Sequence, residues 1–237
     1  MPYPIYLQVC AGLANRLRAT VSGLCAAEDL SRSIVISWPR EAVFGATWSD
    51  LFEPIPGVTF VGRDESPRLR MCLSPEDWAR ESKLASITIK SYGHFHQTDP
   101  ERWLKWLRRI KPLKPVAPLH AVGVHIRRTD NRKSIQESPT KAFFKAMDAY
   151  PADTEFFVAT DDAAERSALV HRYPGRLLPR ATLQLDRDTL AGVQGALQDF
   201  LSLAACRQIL GSVGSSFSEM AAAYGGCPLL YIRDLEE

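Results

Sequence analysis

The strongest chemical signal in the sequence is a run of charged residues directly after an apolar stretch, in His125-Ile-Arg127-Arg128-Thr-Asp130. An unpaired charge at the end of a buried strand is costly, and an anionic ligand would remove that cost. A guanidinium suits this task because its fork of donors matches two phosphate oxygens. Side chains alternate along a strand, so His125 and Arg127 share one side and Arg128 takes the other. We therefore expect Arg127 to contact an anion. The alternative is a salt-bridge cluster in which Arg128 pairs with Asp130 or Asp161.

A second polar group ends the apolar run Phe156-Phe-Val-Ala, where Thr160 is followed by Asp161 and Asp162. A carboxylate at this position can cap a helix by accepting hydrogen bonds from free backbone amides. It can also orient a ligand-binding arginine, and Asp161 is the candidate for that task toward Arg127 or Arg128. Both interpretations stay open from sequence.

Two glycine-containing turns stand between a predicted strand and a predicted helix. Free amides at a helix start and the positive end of the helix dipole favour an anion such as pyrophosphate. The second turn is not a Walker loop, because no Gly-Lys-Ser/Thr follows, and a plain strand-helix turn is its alternative. The predicted phosphate contacts are Gly12, Asn15 and Arg16 in the first turn, and Gly214, Ser215 and Ser216 in the second.

Short β-branched runs alternate with amphipathic stretches, which predicts the α/β class with parallel sheets covered by helices. Predicted strands cover 5–9, 34–38, 58–61, 86–91, 121–127, 155–160, 208–211 and 228–232, with a short one near Leu177. Predicted helices cover 13–30, 101–110, 139–149, 163–172, 189–206 and 216–224. Three prolines in 111–118 indicate an extended linker, so the predicted lobes are 1–115 and 116–237.

Composition narrows the function classes. A chain of 237 residues with 46% hydrophobic residues can bury a substantial core, and a net charge of +2 argues against nucleic acid as a partner. Five cysteines, an odd number without close pairing or zinc-site spacing, favour reduced thiols and no metal. We expect no leader, because no basic residues precede the first apolar run, and no transmembrane segment, because no apolar stretch approaches about 18 residues. We therefore expect a cytoplasmic protein.

Three motifs occur together, and their order is specific. His-x-Arg-Arg with Thr-Asp, then Ala-Thr-Asp-Asp, then Ser-x-Gly-Ser-Ser-x-Ser resembles the ordered motifs of the GDP-fucose fucosyltransferases. These include the α1,6-, α1,2- and protein O-fucosyltransferases and the bacterial nodulation enzymes. The turn Gly12-Leu-Ala-Asn15-Arg16 resembles their amino-terminal glycine-asparagine loop.

The resemblance implies a GT-B arrangement of two Rossmann-like lobes facing across a cleft, with GDP mainly in the carboxyl-terminal lobe. It also implies inversion at the sugar carbon, no obligatory metal or other cofactor, and a GDP-sugar as donor. By position, Arg127 corresponds to the arginine on the β-phosphate and His125 to the histidine beside the nucleotide. Ser215 and Ser216 match the phosphate-binding serines, and Asp199 matches the acid that accepts hydrogen bonds from guanine.

Some parts of the reaction are left open by the sequence. The acceptor is expected to be a glycan or other hydroxyl, and its identity does not follow from the motifs. Two residues are candidates for the general base, Asp130 and Glu137; the second lies a little beyond the place where α1,6 enzymes carry a glutamate. GDP-mannose or GDP-rhamnose is an alternative donor, and a nucleotide- or glycan-binding module without turnover is an alternative class.

Overall fold

The computed structural model describes residues 3–63, 68–129, 131–180, 184 and 186–234. The chain forms two compact units. Unit 1 comprises Met1–Pro115 and Asp186–Ala196, and unit 2 comprises Val116–Leu185 and Leu197–Glu237.

Unit 1 contains a parallel sheet built from β1 (Ile5–Val9), β2 (Ile34–Ser37), β3 (Val58–Val61), β4 (Arg70–Met71) and β5 (Ile87–Ser91). The strand order is β3-β2-β1-β5-β4. Its helices are α1 (Leu13–Asp29), α2 (Pro75–Glu81) and α3 (Pro100–Arg109), with a single 3-10 turn at Trp48–Asp50. One sheet face is a buried aliphatic row, and α1 covers it where Gly23 lies against Leu7 and Ile34.

The segment Asp186–Ala196 groups with unit 1, whereas the linker-based boundary assigned it to the second lobe. Hydrogen bonds explain the difference. The Gly45 amide donates to the Arg187 carbonyl over 2.8 Å, and Gln194 Nε2 donates to the Asp50 carbonyl over 3.4 Å. Pairing of this kind is not visible in the local sequence pattern.

Unit 2 contains β6 (Val122–Ile126), β7 (Phe156–Thr160), β8 (Gln208–Ser212) and β9 (Leu229–Ile232), parallel and in the order β7-β6-β8-β9. Its helices are α4 (Arg132–Glu137), α5 (Thr140–Asp148), α6 (Ala163–Arg172) and α8 (Ser216–Gly225). A further helix, α7 (Leu190–Ala204), has its carboxyl-terminal half in this unit. The apolar strands pack on Phe143, Met147 and Leu169, so the predicted α/β class is confirmed.

In each sheet the chain adds strands first on one side of a starting strand and then on its other side. The starting strand is β1 in unit 1, between β2 and β5, and β6 in unit 2, between β7 and β8. In open α/β sheets the crevice beyond the carboxyl ends of the strands at such a point is where ligands bind. The described residues include no helix long and apolar enough to cross a membrane.

Candidate functional site

The segments that follow β6 and β8 are hydrogen-bonded to each other. The Arg127 amide donates to Ser212 Oγ over 3.0 Å, and this hydroxyl donates to the His125 carbonyl over 3.4 Å. Further along, Asn131 Nδ2 donates to the Gly214 carbonyl over 3.2 Å. Two of the predicted motifs therefore meet at the point in unit 2 where ligand binding is expected from topology.

Asp161 lies against the Arg127 guanidinium, with 2.7 Å between Nη1 and Oδ2. Its carboxylate also accepts from the Arg128 amide and the Thr129 hydroxyl, each over 2.7 Å. Burial raises the pKa of Asp161, but the Arg127 cation and these hydrogen bonds outweigh burial and hold the pKa below its ordinary value. Asp161 is thus an ionised group that fixes Arg127, which keeps its side chain 20% exposed.

Asp162 caps a helix, which is the other role that the sequence left open for these two acids. Its Oδ1 accepts from the Glu165 amide over 2.9 Å and caps α6. The two acids therefore have different roles: Asp161 binds the Arg127 side chain, and Asp162 caps the start of α6.

The Arg128 side chain does not pair with Asp161, which corrects that sequence-based alternative. Its Nε and Nη2 lie 3.3 Å from the two carboxylate oxygens of Glu165, and Nη2 also donates to Thr140 Oγ1 over 3.2 Å. Strand alternation sends Arg128 to the side opposite Arg127, where α5 and α6 supply these partners. Arg128 therefore ties the end of β6 to the helices that cover it.

His125 is buried beneath α8. Its Nδ1 lies 2.7 Å from Ser218 Oγ, and its ring stacks on Phe217 with 4.9 Å between centroids. The predicted histidine therefore lies next to the turn that follows β8, held by Phe217 and by Ser218, the last serine of the third motif.

The turn from Val213 to Ser216 opens α8. Gly214 has a φ of 67°, a left-handed conformation that suits glycine. Ser215 is the N-cap and its side chain makes no capping bond, so the first amides of α8 are left to other acceptors. Ser134 and Ser138 brace the turn: Ser134 Oγ donates to the Val213 carbonyl over 2.7 Å, and the Val213 amide donates to Ser138 Oγ over 2.9 Å.

Asp199, on α7, is buried and forms a two-point ion pair with Arg180. The Nε–Oδ1 distance is 2.7 Å, and Arg180 Nη2 donates to the other oxygen. Burial raises the pKa of Asp199 above its ordinary value even though Arg180 opposes that shift. The sequence missed Arg180, because a lone arginine after an irregular segment carries no signal of its partner.

The first turn gives a different result for its two polar residues. Arg16 is fully buried inside unit 1, where its guanidinium donates to Glu41 Oε2 over 2.6 Å and to two backbone carbonyls over 2.9 Å. Burial lowers the pKa of Arg16 to about 10 despite that carboxylate. Arg16 thus lies in the interior of unit 1, where protein acceptors already hold its guanidinium, and its contact with the donor phosphates stays a prediction.

Gly12 and Asn15 remain at the surface of this turn. Gly12 is the N-cap of α1 and no side chain caps the helix. A Cβ added there would meet no atom within 4 Å, so packing does not require glycine at this position. Asn15 is half-buried in the first turn of α1.

Of the two candidate general bases, Asp130 and Glu137, the structure describes only Glu137. Asp130 lies outside the described residues. Glu137 ends α4 with its side chain 36% exposed and Oε1 3.7 Å from Lys133 Nζ. In the part of the chain that the structure describes, no group of three or more His, Cys, Asp and Glu residues is arranged to hold a metal ion.

No protein-family model matches the chain, and no curated protein matches it in sequence. Solved structures do match it in fold. NodZ alpha-1,6-fucosyltransferase soaked with GDP-fucose superposes with a TM-score of 0.66 at 18% identity, covering 98% of this chain and 96% of that one.

Two further enzymes give similar values. A mutant of Arabidopsis thaliana FUT1 in complex with GDP has a TM-score of 0.58 at 14% identity, covering 98% of this chain and 71% of that one. POFUT1 in complex with GDP has a TM-score of 0.59 at 10% identity, covering 98% and 99%. The chain therefore has the fold of the GDP-fucose fucosyltransferases, as the motif resemblance predicts.

Proposed function

We propose that this protein is a glycosyltransferase that moves fucose from GDP-fucose to a glycan hydroxyl. The observation that carries the proposal is the Arg127 guanidinium, fixed by Asp161 and partly exposed, at the end of the strand hydrogen-bonded to β8. The likeness in fold to structures that contain GDP or GDP-fucose supports this choice of donor.

The proposed reaction breaks the bond between the sugar carbon and the β-phosphate oxygen, and negative charge builds on the departing GDP. Arg127 and the amides at Ser215 and Ser216 are the donors proposed to take up that charge. Each preorganised donor of this kind contributes about 3 to 4 kcal/mol, which is how the reaction would proceed without a metal. The acceptor oxygen attacks from the opposite face, so the sugar carbon is inverted, and the acceptor proton passes to a base.

Nucleoside recognition is assigned to unit 2. Asp199 is proposed to accept hydrogen bonds from guanine while Arg180 favours its ionised form, and His125 is proposed to lie beside the nucleotide. Each carboxylate oxygen has more than one lone pair that can accept a hydrogen bond, so Asp199 can bind Arg180 and guanine at the same time.

Unit 1 is proposed as the acceptor side, and Gly12, Asn15 and the start of α1 are proposed to contact the donor phosphates. Asp130 and Glu137 remain the two proposed bases. Because the four buried cysteines and Cys227 are all free thiols, we also propose a reducing, cytoplasmic setting.

Calorimetry with GDP, GDP-fucose and UDP tests the proposal directly. GDP and GDP-fucose should bind and UDP should bind far more weakly, and GDP-fucose should then release GDP during turnover. Faster turnover with GDP-mannose or GDP-rhamnose would change the sugar and keep the class. GDP binding without any release of GDP from a GDP-sugar would instead support a non-catalytic module, and equal binding of UDP would contradict guanine recognition.

A further inference from the structure

A group of polar residues in unit 1 lies at the carboxyl end of β1 and β5, outside the motifs discussed above. Glu41 follows β2, and its Oε2 is held by the buried Arg16 at 2.6 Å. Its other oxygen, Oε1, lies 3.7 Å from Lys90 Nζ, which is too long for a strong hydrogen bond. Both side chains are partly open, 26% exposed for Glu41 and 33% for Lys90.

Gln8 belongs to the same group by register. It pairs with Lys90 across β1 and β5, and residues in register on parallel strands point to the same face of a sheet. Gln8 is 4% exposed, and its Oε1 meets no hydrogen-bond donor among the described residues. A buried acceptor left in this way costs about 1 to 3 kcal/mol, so its retention calls for a partner.

We infer that Gln8, Glu41 and Lys90 form a subsite for the hydroxyl groups of a saccharide acceptor. The subsite presents two acceptor oxygens and one ammonium donor, and a sugar hydroxyl can donate and accept at once. A fully ionised phosphate offers no donor to Gln8 or Glu41 and is repelled by the carboxylate. This inference rests on the proposed glycosyl transfer, because the subsite would bind the acceptor, which is the second substrate of that reaction.

The neighbourhood favours this location. Burial raises the pKa of the Cys10 thiol, and the nearby charges of Lys90, Glu41 and Arg16 also act on it, so the group adjoins the turn that starts α1. The next residue, Ala11, has a φ of 66°, a strained conformation for a residue other than glycine and one that concentrates at functional sites. The group also includes a residue of β1, Gln8, and β1 is the strand of unit 1 that has later strands added on both of its sides.

The test uses the whole protein with saturating GDP and a panel of methyl glycosides of glucose, galactose, mannose and N-acetylglucosamine. Saturation-transfer NMR measures their binding, and the ratio of transfer to hydrolysis of GDP-fucose measures their use. Lys90→Met should weaken the bound glycoside and lower that ratio by about tenfold or more, since a charged donor is lost. Lys90→Arg should restore part of both, and the exposed Lys83→Met serves as control.

Gln8→Leu separates a ligand site from a structural defect. Removing an unpartnered buried acceptor should raise the melting temperature, and only a ligand-binding role also makes glycoside binding weaker. The subsite is overturned if wild type releases GDP from GDP-fucose yet binds none of the glycosides, if Lys90→Met and Gln8→Leu bind them like wild type, or if inorganic phosphate displaces them through Lys90. Failure of wild type to bind GDP would reject the proposed function itself.

Discussion

The Arg180 guanidinium and the Asp199 carboxylate form a buried two-point pair, each side chain only 6% exposed. A buried acid left alone holds its proton, and burial does raise the pKa of Asp199. The Arg180 cation works against that shift, because it favours the ionised form that accepts hydrogen bonds. Substituting Arg180 therefore tests directly whether Asp199 accepts hydrogen bonds from guanine.

Arg180→Met should make GDP binding depend on pH. Without the cation, the pKa of Asp199 rises further, so the acceptor form is lost as the pH falls. Calorimetry between about pH 8 and about pH 5.5 should show GDP affinity falling more steeply in the variant than in wild type, by roughly tenfold or more. Arg172→Met, which removes an exposed arginine paired with Asp148, is the control. A flat profile in Arg180→Met would reject the role of Asp199 in binding the base.

Arg127→Lys should lower transfer from GDP-fucose by about 10² to 10³. Lysine keeps the charge but loses the planar fork that meets two phosphate oxygens, and its single ammonium cannot hold Asp161 in the same geometry. Steady-state rates with GDP-fucose measure the loss, and the exposed Arg132→Lys should leave them unchanged. Near-normal transfer by Arg127→Lys would remove Arg127 from the reaction.

Asp161→Asn should destabilise the protein by about 1.5 to 3 kcal/mol at neutral pH, because a charged acceptor of three hydrogen-bonding partners is lost. The pKa of Asp161 is lowered in the folded state, so its stabilising effect is present above the unfolded pKa of about 3.9 and is lost as pH falls through the folded value. Urea unfolding should therefore show the gap between wild type and variant narrowing in acid. A constant gap would contradict the ionised pair.

How far the sequence predicts this structure depends on the range of the interactions. The helix Ala163–Arg172 and the strand Val58–Val61 were predicted at their observed bounds, because a cap or a β-branched run marks them locally. Helix α2 was missed although Ser74 and Asp77 form a capping box, since seven residues hold too little periodicity to stand out. Helix α4 was also missed, and its Asn131 cap is equally local.

Side-chain partners were harder to predict than elements. Alternation along β6 correctly separates Arg127 from Arg128, but it cannot say that Glu165, a helical turn beyond the predicted acids, receives Arg128. Arg16 shows the same limit more strongly. A positive charge in the first turn of a helix is unfavourable to the dipole unless a negative charge is near, and a carboxylate 25 residues later, Glu41, supplies that charge.

Arg16→Met should destabilise unit 1 by about 3 to 5 kcal/mol. The change leaves Glu41 without its main cation and removes the donors to the carbonyls of Ala11 and Pro39, and breaking a buried pair from one side strands the remaining polar groups. Thermal and urea unfolding measure the loss. The control is Arg80→Met, whose exposed pair with Asp77 should contribute little to stability.

The same variant separates the internal role of Arg16 from the phosphate contact that the sequence suggested. An internal role predicts that Arg16→Met, measured well below its lowered melting temperature, binds GDP nearly as tightly as wild type, because the guanidinium is enclosed by its own unit. A direct phosphate contact predicts the reverse: a clear loss of GDP affinity with stability almost unchanged. Since the two readouts move in opposite directions, a single set of unfolding and calorimetry measurements distinguishes a buried structural arginine from a ligand-binding one.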